Sequence, residues 1–172
     1  MKTIVITAGH SNADPGAVAN GLKEASLAVE LRDIVALKLR EKGYEVITDG
    51  QRGDNKSLSD AIKLIPRGDV AVELHFNAAA ATTAAGVETI SLPKHKALAQ
   101  RLSKGIADVL VIKLRGDVGY IDQSKSARGR LGYVSAGGLI VEVAFISNKS
   151  EMNTYQSKKW LVASAIVEAL IK

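Results

Sequence analysis

Apolar positions along the chain recur with two periods, and the switches between them mark out the elements. Lys2–Thr7 reads as a short apolar strand, followed by a loop rich in glycine and asparagine from Ala8 to Gly21. From Glu24 to Lys42, Leu27, Leu31, Ile34, Val35 and Leu39 return at helical spacing. Gly43 then supplies the residue that commonly stands just past a helix end. Tyr44–Thr48 is strand-like, and Ser57 is placed to N-cap a short helix that stops before Pro66. Asp69–Phe76 alternates: Val70, Val72, Leu74 and Phe76 share one face, leaving Glu73 and His75 on the other. Gly86–Leu92 predicts a further strand, Lys94–Ile112 a helix after Pro93, and Lys158–Ile171 a closing helix. Asp117–Val134 mixes glycine, charge and short apolar pairs, the pattern of a loop or hairpin excursion. Leu139–Ile146 is nearly continuously apolar, as expected of a central strand covered on both faces.

Strands alternating with helices predict the α/β class: a twisted, mostly parallel sheet flanked by helices. The 172 residues fit a single domain, 1–172, long enough to bury a proper core, and no repeat, linker or low-complexity tract divides them.

Composition narrows the chemistry. With 47% hydrophobic and 24% charged residues the chain is that of an ordinary soluble globular protein. Its lack of cysteine excludes disulfides, thiolate metal sites and cysteine nucleophiles. A transition-metal site must therefore draw on His10, His75 and His95 together with carboxylates. The first apolar stretch, Ile4-Val5-Ile6, gives way at once to Gly9-His10-Ser11-Asn12, whereas a secretion signal needs an apolar stretch of roughly 7–15 residues. No run approaches the roughly 18 apolar residues of a membrane span. The expectation is a soluble chain synthesised in the cytoplasm without a signal peptide. It does not insert into membranes, and it reaches an outside substrate only after release by another agent. The net charge of +5 favours an anionic partner such as nucleic acid, anionic lipid or cell wall. Aromatic residues, at 4%, are too few for base stacking, so no nucleic-acid partner is expected. The densest basic cluster, Lys125, Arg128 and Arg130, reads either as a solvated loop or as a substrate contact.

A few polar residues sit where the patterning gives no simple reason for them. His10 follows the first strand, Glu24 opens the first long helix, and His75 lies near the end of a later strand. Ligands of open α/β sheets gather beyond the carboxyl ends of the strands, so these three elements can converge. Two neutral imidazoles and a carboxylate suit a catalytic zinc, whose fourth position stays open for water. Taken singly, each has a structural reading: a hydrogen-bonded histidine at a strand end, a glutamate complementing the helix dipole. Glu142 is harder to explain that way. It interrupts the run GGLIVEVAFIS, where a charge is costly unless paired or near a metal, and it is a candidate general base. His95, between two lysines, is expected at the surface.

Five blocks carry a family resemblance. They are IVITAGHSNADPGAVANGLKE (4–24), ELHFNA (73–78), GVET (86–89), RG (115–116) and LIVEVAFISN (139–148). In this order and spacing they resemble the zinc-dependent N-acetylmuramoyl-L-alanine amidases of the amidase 3 type. The resemblance implies that His10, Glu24 and His75 bind one zinc ion and that Glu142 is the catalytic carboxylate. It implies as substrate the amide joining N-acetylmuramic acid to L-alanine in peptidoglycan, with Asn77 and Arg115 as candidate substrate contacts. With a catalytic domain alone, the chain looks like a phage endolysin acting on the wall after release. The alternatives are a zinc peptidase or carboxypeptidase acting on wall peptides, and a non-catalytic wall-binding module.

The chain also departs from that family's pattern. Thr7-Ala8 stands where Asp-Pro is usual, and Glu73 where a small residue is usual. Asp49-Gly50 follows Thr48 where an arginine is usual, and Ala144 replaces a common glycine. Asp14 is expected to brace the loop between two ligands, whereas Glu73 is left open between orienting a ligand, tuning the metal and pointing away.

Overall fold

The computed structural model describes residues 2–172, and it builds one six-stranded sheet between two helical layers. Strand β1 (Thr3–Ala8) leads through a small hairpin, β2 (Val18–Ala19) and β3 (Leu22–Lys23), into helix α1 (Glu24–Glu41). Strand β4 (Glu45–Thr48), helix α2 (Leu58–Leu64) and strand β5 (Val70–Asn77) follow. Then come β6 (Glu88–Ser91), α3 (Lys96–Leu110), β7 (Tyr120–Asp122), a short α4 (Gly132–Ser135), β8 (Leu139–Phe145) and α5 (Lys149–Ile171).

The strand order is β4-β1-β5-β8-β6-β7. The first four run parallel, β6 lies antiparallel to β8, and β7 is parallel to β6. This is the expected α/β architecture, with a mostly parallel sheet. Alternation along the strands sends Ile4, Ile6, Val72, Leu74, Phe76, Val141 and Val143 to one face, where they meet α1, α3 and α5. The opposite face carries Val5, Ala71 and Ile140 against Ala61, Tyr133 and Val134 of α2 and α4. Glu73, His75 and Glu142 belong to this second face by their strand phase. The sheet thus offers a dry side for stability and a thinner side on which polar groups collect.

Three expectations are corrected. The Asp117–Val134 excursion contributes Tyr120–Asp122 to the sheet as edge strand β7, with the Thr89 amide donating to Gly119 O at 2.7 Å beside it. Three residues are too few to show a period, so the strand was invisible in the pattern. Residues 8–21 are not wholly loop: Asn20 and Gly21, both at positive φ, turn the chain so that Ala19 pairs with Leu22. Such two-residue turns favour Asn-Gly. The last helix begins nine residues before Lys158, at Lys149.

That early start has a clear cause. Asn148 caps the helix by accepting from the Glu151 amide, and Glu151 turns inward rather than out to water. Its carboxylate accepts from the amides of Gly86 at 2.7 Å and Phe145 at 2.8 Å, tying β8 to the entry of β6. The polar run 149–157 hides this because only long-range partners make the glutamate useful. Glu151→Ala strands both buried donors and is expected to cost about 2–5 kcal/mol. Urea unfolding measures it, and a loss below about 0.5 kcal/mol would show that these amides find other partners.

Candidate active site

Strand β1 ends at Ala8, and the Gly9 amide reaches Leu74 O at 2.9 Å, carrying the chain along the end of β5. His10 then adopts φ 68°, a left-handed conformation uncommon outside glycine, which turns its ring back over the sheet. The loop that follows fixes that ring. Asp14 accepts from His10 Nδ1 at 2.8 Å through Oδ2 and from the Gly16 amide at 3.0 Å through Oδ1. Asp14 does brace its loop, as expected, and it also holds the imidazole, a contact the sequence pattern does not reveal.

The hairpin β2–β3 returns the chain to this edge and delivers Glu24, the first residue of α1, buried at 3% exposure. Its Oε2 accepts from the Ala17 amide at 3.0 Å and its Oε1 from the Phe76 amide at 3.1 Å. The same two oxygens lie 2.9 Å from His10 Nε2 and 2.9 Å from His75 Nδ1. The imidazoles meet edge to face at 5.1 Å between centroids. The three elements predicted to converge thus do so.

The donor set fits a zinc ion. One ligand atom from each of His10, Glu24 and His75 lies within 4.8 Å of the others, and the two Glu24 oxygens each stand 2.9 Å from one imidazole nitrogen. Two ligands about 2.0–2.1 Å from a tetrahedral zinc sit about 3.3 Å apart. His10 Nε2 is buried and, despite its nearness to Glu24, has no hydrogen-bond partner. Two glycines make room: a Cβ on Gly16 would meet the His10 ring at 2.5 Å and Glu24 Oε2 at 2.7 Å, and one on Gly9 would meet the His75 ring at 2.2 Å.

The electrostatics also call for a cation. Burial works against the charge of Glu24, but its contacts with His10 and His75 outweigh burial and hold the carboxyl well below the usual range. Glu24 raises His10, with burial opposing and Asp14 adding to the rise. Burial likewise opposes protonation of His75, yet Glu24 and Glu73 lift it well above an ordinary imidazole. Without metal, protons collect where positive charge is wanted.

Glu142 lies on β8 directly beside His75 in the strand register, 7% exposed, with Oε2 unpartnered. Burial pushes its carboxyl up to about 7; His75 pulls it down and Glu24 pushes it further up. The fold of the metal-free protein therefore favours the neutral carboxyl. The stability this contributes is whole below about pH 4.5, the ordinary value, and is lost as pH rises through about 7. Metal-free Glu142→Gln should match the native protein near pH 4 and exceed it at pH 8 by up to about 3 kcal/mol in urea unfolding. Equal stabilities at pH 8 would contradict this.

Asn77 and Arg115 converge on Glu88, the register partner of Glu142 on β6. Asn77 Nδ2 donates to Glu88 Oε1 at 3.2 Å and Arg115 Nε to Oε2 at 2.6 Å, the guanidinium lying 5.0 Å from the Phe145 ring centre. The Arg115 side chain remains 35% exposed.

A cavity of about 270 Å³ opens beside the His10–Glu24–His75 cluster, walled by His10, His75, Glu73, Leu131, Tyr133 and Arg128. Arg128, from the basic cluster, thus stands at the site. A larger depression of about 750 Å³ lies against α1, but none of His10, Glu24, His75 or Glu142 lines it. His95 is half-buried at the start of α3 and outside the cluster.

Support from below was not legible in the sequence. Asn55 Nδ2 donates to the carbonyls of Ala8, Gly9 and His10 at 3.1–3.2 Å. Behind it, the fully buried Arg32 of α1 pairs with Asp49 at 3.0 Å and donates to Asp54 O at 2.9 Å. Asp49, following Thr48 where an arginine is usual, therefore carries the loop that holds His10.

Residues 4–172, almost the whole chain, match the profile of the N-acetylmuramoyl-L-alanine amidase family. The chain belongs to this family. A Neisseria meningitidis protein assigned as an N-acetylmuramoyl-L-alanine amidase is 45% identical, with a TM-score of 0.91 over 98% of this chain and 93% of that one. The catalytic domain of the amidase CwlV from Bacillus (Paenibacillus) polymyxa shares the fold at 23% identity and TM-score 0.85, covering 99% of this chain and 96% of that one. The Bacillus subtilis amidase LytC is 27% identical over 154 residues, which span 87% of this chain and 30% of LytC. As an amidase of this family the chain is a peptidoglycan hydrolase. Two of its departures from the family pattern, Thr7 and Glu73, are register partners on neighbouring strands. No helix among the described residues of this amidase is long and apolar enough to cross a membrane.

Proposed function

We propose that residues 1–172 are a single catalytic domain that holds one zinc ion between His10, Glu24 and His75 and hydrolyses the N-acetylmuramoyl–L-alanine amide of peptidoglycan. The observation that carries this reading is the convergent donor trio, two of its residues buried, with an unpartnered carboxylate, Glu142, on the adjacent strand.

When bound, zinc acidifies water and polarises a carbonyl. The chain's own residues do the rest. His10, Glu24 and His75 present their donors from three separate elements, fixed by Asp14, by the Ala17 and Phe76 amides and by the β5 backbone. Glu142 Oε2 accepts a proton from the attacking water and returns it to the departing alanine nitrogen. A carboxyl pushed up to about 7 by burial is matched to both tasks at neutral pH, and nearby positive charge tips it toward the base form. Asn77 and Arg115 hold Glu88 beside Glu142, and the exposed part of Arg115 is assigned to substrate contact. The net charge of +5 favours the anionic wall, which suits an endolysin-like lytic role. Clearing of a suspension of walls tests that role, and binding without clearing contradicts it.

Metal analysis tests the centre. Dialysis against a chelator should remove one zinc per chain and abolish hydrolysis, and added zinc should restore both. Full activity in metal-free protein would overturn the reading.

A further inference from the structure

The two histidines of the proposed centre each have a second ring nitrogen, and the structure gives each of these a carboxylate neighbour. In His10, Nε2 faces Glu24 while Nδ1 takes Asp14 at 2.8 Å. In His75, Nδ1 faces Glu24 while Nε2 is turned toward Glu73, whose Oε1 lies 3.7 Å away. Among the described residues no other carboxylate comes within 4.0 Å of that nitrogen.

Among the described residues, this contact with His75 is the one ion-pair contact that Glu73 makes. Glu73 is 2% exposed on β5, two residues before His75 and therefore on the same face. Its Oε2 has no hydrogen-bond partner. Its register neighbours are Thr7 on β1 and Ile140 on β8. Thr7 spends its hydroxyl proton on the Tyr133 oxygen at 3.0 Å, and Ile140 has none to give. A buried carboxylate without a cation or a full set of donors destabilises a fold, and an apolar residue of similar size would serve packing better. Among the described residues, the one cationic side chain within 4.0 Å of the Glu73 carboxylate is the His75 ring. Oε1 needs to move by less than about 1 Å to accept from Nε2–H, and the free Oε2 leaves the carboxylate unpinned.

We propose that Glu73 is a positioning residue for the metal centre: it accepts the Nε2 proton of His75, so that Nδ1 is the nitrogen held toward the metal. This rests on the zinc reading above. A ligand imidazole whose far nitrogen is held by a carboxylate has its tautomer and ring plane fixed and is a stronger donor. Asp14 does this for His10, and Glu73 does it for His75. Glu73 acts through His75, so its effect is read first in metal affinity.

The test compares native protein with Glu73→Ala and Glu73→Gln. Zinc affinity is measured by competition with a chromophoric chelator, thermal midpoints are measured without metal, and nitrogen NMR of the zinc-loaded native protein reports the His75 tautomer. The expected results are three. Glu73→Ala weakens zinc binding about 10–100-fold, and Glu73→Gln, which keeps an acceptor oxygen, weakens it less. The metal-free midpoint of Glu73→Ala is unchanged or higher. The native His75 carries its proton on Nε2. Native zinc binding with equal affinity in both variants overturns the inference and leaves the zinc centre standing, as does a proton on Nδ1 of loaded His75. A fall in the metal-free midpoint of both variants with no change in zinc affinity assigns Glu73 a purely structural role and overturns it too. A native protein that takes up no zinc overturns the centre and the inference together.

Discussion

Glu142→Gln is expected to lower turnover about 10²–10⁴-fold while one zinc per chain remains bound. The amide keeps the size and much of the hydrogen-bonding shape of the carboxyl, so the β8 backbone beside His75 has no reason to move. What it loses is the ability to take a proton at Oε2. Since none of the proposed ligand contacts involves Glu142, metal content is the control that separates chemistry from folding. Removing a buried, unpartnered carboxyl should also leave the variant at least as stable as the native protein above neutral pH. Near-native turnover with zinc bound would remove Glu142 from the mechanism. Zinc loss together with activity would place it among the ligands instead.

His10→Ala and His75→Ala are expected to have the second large effect: each should lose zinc and hydrolysis together. The sites are not equivalent in their supports. His10 sits on a loop held by Asp14 and Asn55, so its removal leaves the sheet untouched. His75 lies within β5 against Gly9, and its removal leaves a gap beneath the loop as well. We therefore expect His75→Ala to lower the thermal midpoint of the metal-free protein more than His10→Ala does. Either variant retaining zinc at full stoichiometry would show that its imidazole is not a ligand.

Much of the framework could be read from the chain because it rests on local periods. The alternation that set Glu73 and His75 apart from Val72, Leu74 and Phe76 is the alternation seen in β5. Glu142 was conspicuous because its strand is otherwise apolar, and the strand is indeed central. The residues that went unread act through partners distant in sequence. Arg32 stands beside Leu31 on α1 and looks like the polar edge of an amphipathic helix. It is buried only because residues 49–55 fold over it. Asn55 and Glu151 are ordinary polar residues until three carbonyls in one case, and two amides in the other, arrive from elsewhere. The Asn20-Gly21 turn was different: its signal was local and present, but flanking strands of two residues each gave it no pattern to punctuate. Glu73 was legible in its face and not in its purpose, since strand phase cannot say which nitrogen of His75 it meets.

Hydrolysis of the muramoyl–alanine amide is read most directly by mass spectrometry of purified peptidoglycan digested by the protein with and without a zinc chelator. The expected result is release of intact stem peptides with a free L-alanine amino terminus, leaving glycan strands without peptides, and loss of that release when the chelator is present. Cleavage within the stem peptide would make the protein a peptidase, and release that the chelator leaves unchanged would contradict the zinc centre formed by His10, Glu24 and His75.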